Sequence, residues 1–261
     1  MMSTVTDISA AGIDGVRPKT LRGLLLAREL DTNRTKRGLT TRKLADQMRM
    51  SPAMCNRVMT GRRVPTPLEI GGLCALLDIP AHRRPALYEL ARTASDTQWI
   101  IHRTQGTEIL SAIEAEAHTI TSVCPSPIPG PLRTDAYNSN QERATPGHER
   151  LADRYLLHPA ALRDTAVPRH VMREQLRHLT SAPKPVRLLP NSTPLHGAFR
   201  VVQIEHFHPV VWLEHEVTTV VLERPSETSP YTRVESTLMN AALSVKETNE
   251  ALLRLAANIT P

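Results

Sequence analysis

A chain of 261 residues, 40% hydrophobic, 22% charged and only 3% aromatic, is ordinary globular material with room for two modest domains. It has no run of about eighteen apolar residues, which excludes a transmembrane helix, and its first residues lack the charged and apolar regions of a signal peptide. The net charge of +6 is lopsided: residues 1–64 carry 13 Lys and Arg against 5 Asp and Glu, whereas the remainder carries 19 against 21. A basic first quarter on a near-neutral protein is the electrostatic footprint of a module that meets a polyanion. Cys55, Cys74 and Cys124, an odd number at irregular spacing, fit reduced thiols better than a disulfide framework, so the cytoplasm is the expected compartment.

In chain order, residues 1–16 read as a flexible leader and residues 17–95 as a helical domain of about five short helices. The first spans roughly Leu21 to Arg37, with Leu26 and Leu30 one turn apart, and Gly38 supplies its stop. Thr40 caps a second helix carrying Leu44, Ala45 and Met48. Ser51 caps a third, with Pro52 in the first turn, where a missing N–H costs nothing. Thr66 and Glu69 spell a capping box for a fourth, whose Ile70, Leu73, Cys74 and Leu77 repeat at helical spacing, and Leu87, Leu90, Ala91 and Ala94 do the same for a fifth. The third helix is the unusual one. Cys55, Val58 and Met59 share an inward face, leaving Ala53, Met54, Asn56, Arg57 and Thr60 outside. Asn reads adenine bidentately, Arg reads guanine, and small or apolar groups meet the thymine methyl.

The stretch "GLTTRKLADQMRMSPAMCNRVMTGRRVPTP" resembles the Cro/repressor-type helix-turn-helix of the xenobiotic-response-element family of bacterial regulators, keeping Gly38, Leu39, Thr40, Leu44, Ala45, Ser51, Arg57, Gly61, Arg63 and Pro65 at the family spacing. The resemblance implies that the third helix, residues 51–60, enters the major groove. Thr41, Arg42 and Arg62 would then meet phosphate, Ser51 phosphate or a base edge, and Ala53, Met54, Asn56 and Arg57 the bases, with Arg63 counted in the same DNA-binding set. Three positions depart from the family: Asn33, Arg37 and Met59, the last replacing an acidic residue and leaving Arg34 without the partner on the third helix that relatives supply.

Residues 96–108 show no clear period and read as a linker to a second domain over residues 109–261. A helix with Ile109, Ile113 and Ala117 leads to a Pro-rich loop, Pro125 to Pro131, in which Ile128 and Leu132 either face a partner or plug the domain's own core. Helices fit residues 149–157 and 168–180, the latter with Met172, Leu176 and Leu179 on one face. Four period-two runs, "VRLLP", "GAFRVVQIEHF", "PVVWLEHE" and "TTVVLE", then predict a small antiparallel sheet. A long final helix, about Tyr231 to Asn258, closes the chain with Val234, Leu238, Ala241 and Val245 facing in. The expected class is thus an all-α N-terminal domain followed by an α+β domain. "IEAEAHTITSVCPSPIPGPLRTDAY" and "VMREQLRHL" followed by "VRLLP" resemble signatures of a C-terminal domain common in actinobacterial regulators, some of them antitoxin-like and encoded beside a small partner protein.

Chemistry for an enzyme is not evident. There is no P-loop, nucleophile elbow, H-E-x-x-H or Cys-x-x-Cys motif. Glu114 and Glu116 fall on different sides of a helix, and His206 and His208, with His196 and His215 near in sequence, read as an exposed polar strand face in preference to a metal site. The expected molecule is a non-enzymatic regulator with no cofactor and no bound metal. Its partners are double-stranded DNA and a second copy in a homodimer, and its C-terminal domain modulates binding or dimerisation; the alternative is an antitoxin-like protein that binds a small protein encoded nearby and autoregulates its operon.

Overall fold

A computed structural model describes residues 19–102, 107–140, 152–215 and 217–259. The expected leader lies outside these residues. The chain divides into two compact units, Met1–Thr97 and Gln98–Pro261.

The first unit is helical: α1 (Leu21–Lys36), α2 (Thr41–Gln47), α3 (Pro52–Met59), α4 (Pro67–Leu76) and α5 (Arg84–Arg92). Each of α1 to α4 begins with a hydroxyl cap accepting a backbone N–H: Thr20 from Gly23, Thr40 from Lys43, Ser51 from Met54 and Thr66 from Glu69. Each also ends the same way. The residue one past the C-cap is left-handed, at Gly38, Arg49, Gly61 and Asp78 with φ of 63°, 53°, 70° and 56°. The next N–H folds back five residues, from Leu39 to the Arg34 carbonyl, Met50 to Ala45, Arg62 to Arg57 and Ile79 to Cys74. This is the Schellman motif, which satisfies carbonyls the helix leaves open. Between α1 and α2, and again between α2 and α3, the connector is the same four-residue device: C-cap, left-handed residue, apolar residue, N-cap hydroxyl.

That device aims the apolar faces at one core, where Leu26, Leu30, Leu44, Ala45, Cys55 and Val58 pack with Ile70, Leu73, Cys74, Leu77 and Leu87. Gly23 lets α1 approach the turn after α3; a Cβ there would sit 3.3 Å from the Gly61 carbonyl oxygen. Thr20 and Arg22 tie the start of α1 to the segment after α5, by hydrogen bonds of 2.6 Å to the Ala94 carbonyl and the Thr93 hydroxyl.

The second unit is built on one seven-stranded mixed sheet rather than a small antiparallel one. Its strands are β1 (Gln98–His102), β2 (Ala117–Cys124), β3 (Arg154–Leu157), β4 (Val186–Leu188), β5 (Phe199–Ile204), β6 (Val210–Glu214) and β7 (Thr218–Leu222), in the order β1-β7-β6-β5-β2-β3-β4. Neighbours from β1 to β2 are antiparallel, while β2–β3 and β3–β4 are parallel. The helices are α6 (Thr107–Glu116), α7 (Asp135–Ser139), α8 (Arg169–Leu179), α9 (Pro225–Ala241) and α10 (Val245–Asn258). Parallel pairing demands crossovers, and α8 supplies the one between β3 and β4. Val171, Met172, Gln175, Leu176 and Leu179 form its buried face.

Several expectations are corrected. Residues 98–102 of the supposed linker form β1, paired to β7. The helix expected over 149–157 is strand β3 from Arg154 onward, and 149–151 lie outside the described residues. The final helix is two, broken at Ala242–Leu243–Ser244, where Ser244 caps α10 in a capping box with Glu247. Val234 and Leu238 do pack inward, but the break leaves Ala241 and Val245 exposed. His206 lies in a turn with φ 60° after β5 ends, so His206 and His208 do not alternate along a strand. Ile128 and Leu132 are both fully buried: the Pro-rich loop turns its apolar residues into its own core. Gln175 locks that loop, accepting from the Thr134 N–H at 2.7 Å and donating to the Leu132 carbonyl at 2.7 Å.

The outer edge of β4 is closed by the α9–α10 connection. Leu243 donates to the Leu188 carbonyl at 2.9 Å, the Thr248 hydroxyl accepts from the Leu188 N–H at 3.0 Å, and Arg187 donates to the carbonyls of Ala242 and Leu243. On one sheet face, Tyr231, Val234 and Leu238 of α9 pack on Phe199, Val201, Val211 and Leu213.

The left-handed exits yield a prediction. Arg49 occupies a conformation that costs a side-chain-bearing residue about 1–2 kcal/mol, so Arg49→Gly should stabilise the protein by about 0.5–1 kcal/mol after the chain-entropy cost of glycine. Gly38→Ala should destabilise it by about 1–2 kcal/mol. Urea unfolding followed by circular dichroism measures both; unchanged midpoints would count against these turns.

Candidate nucleic-acid interface

The helix pair α2–α3 is laid out by its connector. The Ser51 hydroxyl accepts the Met54 N–H at 3.2 Å, and Pro52 fills the first turn of α3. Cys55, Val58 and Met59 are buried beneath the helix. Ser51, Ala53, Asn56 and Arg57 are exposed on it, while Met54 and Thr60 are half-buried at its margins. Thr60 is tied back to its own helix by a 2.8 Å bond to the Asn56 carbonyl. Asn56 and Arg57, the two side chains with the richest base-reading chemistry, therefore sit on one short, rigidly capped surface.

Around this face the charge is one-sided. Residues 40–63 hold six cations (Arg42, Lys43, Arg49, Arg57, Arg62 and Arg63) against the single acid Asp46. Arg42, on the first turn of α2, is exposed and Thr41 beside it half-buried. Lys43 and Arg49 belong to the same two helices and their connector. No motif position singles them out, and only the charge count pointed to them.

The two arginines after α3 differ. Arg62 is half-buried, with its Nε shielded and without a partner among the described residues. Arg63 instead donates to Glu69 at 2.9 Å, and the same carboxylate accepts the Thr66 N–H at 2.7 Å to complete the capping box of α4. Arg63 thus fastens the exit of α3 to the start of α4. Arg34 is not left without an acid: it pairs with Asp31 one turn earlier at 2.7 Å and also donates to the Leu39 carbonyl, while Met59 is buried in the core. Asn33 donates to the Glu29 carbonyl at 2.8 Å, and Arg37 pairs with Asp78 at 3.2 Å. Asn33 and Arg37 each find a polar partner, and Met59 joins the core.

Burial pushes the Cys55 and Cys74 thiols up from their ordinary value, more than nearby arginines pull them down. Both are free thiols buried in the helical core.

These elements define a class of protein: two short helices joined by a tight turn, the second presenting a polar, basic face. Residues 25–87, which span α2 to α4 and parts of α1 and α5, match the family model described as a helix-turn-helix domain. Residues 138–254 match a Domain of unknown function (DUF5753), leaving β1, α6 and β2 of the sheet ahead of the matched range. The chain therefore carries a helix-turn-helix domain followed by a DUF5753 domain. No curated protein matches it. Among the described residues no helix is long and apolar enough to cross a membrane.

Glu69 supplies a pH test. Burial alone would raise its carboxyl, but hydrogen bonds from Arg63 and Thr66 outweigh that and hold it below the ordinary carboxylate value. A depressed carboxyl stabilises the fold at pH above the unfolded value, and this stabilisation is lost as pH falls through the folded one. Glu69→Gln should therefore lower the unfolding midpoint at pH 7 and converge on the parent in acid; a gap that widens below pH 4 would refute the assignment.

Proposed function

We propose that this protein is a sequence-specific regulator of the xenobiotic-response-element type, which lays α3 in the major groove of double-stranded DNA and performs no catalysis. One observation carries the reading: the exposed set Ala53, Asn56 and Arg57 on a capped helix whose neighbourhood holds six cations and one acid. Asn56 and Arg57, with Ala53 and Met54, would face the bases. Thr41, Arg42 and Arg62 would hold phosphates and fix the register, and Ser51 would take a phosphate or a base edge. Arg63 supports the same surface by holding α3 against α4.

Phosphate and base contacts respond differently to mutation. Arg57→Ala should cost about 1–3 kcal/mol and relax discrimination at one base pair. Arg62→Ala should weaken binding to all sequences alike and flatten the dependence on salt. Selection of bound sites from a random DNA pool, followed by titration of each variant, measures both. A parent protein with no preference over random DNA at moderate salt overturns the reading.

One such module spans only a few base pairs, so useful affinity needs two half-sites, about 34 Å apart for one helical turn. The working unit is therefore a homodimer, and the DUF5753 domain holds the copies together or modulates their grip on DNA. Sedimentation should show a dimer on operator DNA; a monomer both free and bound would refute it. The antitoxin-like alternative, in which a small protein docks on the second domain, loses its proposed contact at Ile128 and Leu132, which are buried.

A further inference from the structure

The β5–β6 ladder ends at Arg200 and Trp212, although β5 still pairs with β2 at Phe199 and β6 with β7 as far as Glu214. Beyond that point the two strands part, and a cavity of about 430 Å³ opens between residues 196–199 and 213–215. Phe199, Leu213, Tyr231 and Val234 give it apolar walls, and the Phe199 and Tyr231 rings stand edge to face with centroids 5.2 Å apart. Its size and apolar lining are those of small-molecule sites.

The apolar surface does not stop at the cavity. Leu213 stands opposite Val220 of β7, and Val220 stands opposite Ile100 of β1. Directly opposed residues of antiparallel strands share a face, so these three side chains form one row across the sheet. Burial falls along it: Leu213 and Val220 are half-buried, and Ile100 is 71% exposed. The helix α9 accompanies the row. Its Glu227 accepts from the side-chain amide of Gln98, two residues before Ile100, at 2.5 Å, and its Tyr231 and Val234 line the cavity. The result is an apolar strip one side chain wide, running from Ile100 into the cavity at Phe199. Three strand spacings separate β1 from β5, so the strip is about 14 Å long, the extended length of an alkyl chain of about ten to twelve carbons.

We infer that the cavity and this strip together bind one extended alkyl chain of a lipid-like small molecule. A compact aromatic ligand would fill the cavity and leave Val220 and Ile100 uncovered. A partner helix, about 10 Å across with its side chains, is too wide for a strip of single side chains. An alkyl chain is narrow enough to lie beside α9 and long enough to reach Phe199. Recognition is by apolar contact, which grows with each methylene covered. Binding stands on the second unit alone; only its use as an effector signal rests on the regulatory reading above.

The probes are hexanol, octanol and decanol, titrated calorimetrically into full-length protein. Neutral alcohols keep the charged groups of the cavity wall out of the comparison. Each is expected to bind one to one, with affinity rising about two- to fourfold per added methylene through decanol. Two variants locate the chain. Gly197 lines the cavity, and a Cβ there would meet nothing within 4 Å, so Gly197→Trp should fill the cavity and weaken all three alcohols at least about tenfold. Ile100→Ser, at the far end of the strip, should leave hexanol binding unchanged and remove most of the gain from octanol to decanol. Both variants should keep the parent circular dichroism spectrum. No saturable binding, affinity that stops rising at hexanol, binding that survives Gly197→Trp, or a decanol gain indifferent to Ile100→Ser would overturn the inference. A protein that binds the alcohols with this profile but shows no DNA preference keeps this inference and loses the regulatory one.

Discussion

Everything in the helical unit depends on how its helices stop. A helix of seven or eight residues, such as α2 or α3, is too short to be stable alone and draws its stability from packing. Packing requires that each helix leave its predecessor at a fixed angle. That angle is set by a single left-handed residue closed by a backbone bond reaching five residues back, at Gly38, Arg49, Gly61 and Asp78. The apolar residue that follows, Leu39, Met50 or Ile79, then drops onto the shared core, and a hydroxyl cap restarts the chain after Leu39 and Met50. The orientation of Asn56 and Arg57 is a consequence of this backbone geometry as much as of their own side chains.

This half was the more readable from sequence because its determinants are local. Thr40, Ser51 and Thr66 announce helix starts, Gly38 and Gly61 announce stops, and the apolar spacing of Ile70, Leu73, Cys74 and Leu77 needs no distant partner to interpret. Arg49 and Asp78 were not readable as turns, since neither is a residue that must be left-handed. Nor was the division of labour between Arg62 and Arg63, which depends on where Glu69 comes to lie.

The second domain was harder for a physical reason. β3 is buried along nearly its whole length and β2 over its last five residues, so neither shows the alternation that marks a half-exposed strand. β2 also follows α6 without a connector, and its apolar residues read as a continuation of that helix. β1 does alternate, as the exposure of Gln98, Ile100 and His102 shows, but it stands far in sequence from the other strands. The α9–α10 break lacks Gly and Pro; its one sequence signal was the Ser244–Glu247 capping box. The four later strands were found as short apolar runs, although only β4 and β7 alternate in burial, and calling them a small antiparallel sheet followed from seeing only those four.

The register of β1 bears on how the chain is made. Gln98 pairs with Leu222, so the first strand of the sheet to leave the ribosome waits for the last. In that interval the helical unit has all of its own sequence and a network of short-range contacts, conditions under which folding is fast. The segment Gln98–His102, with Trp99, Ile100 and Ile101, meanwhile has no native neighbour and is a point of exposure to aggregation. The nascent protein therefore passes through a stage in which its first unit can be complete while the sheet of the second is still open, and slow synthesis or truncation would prolong it.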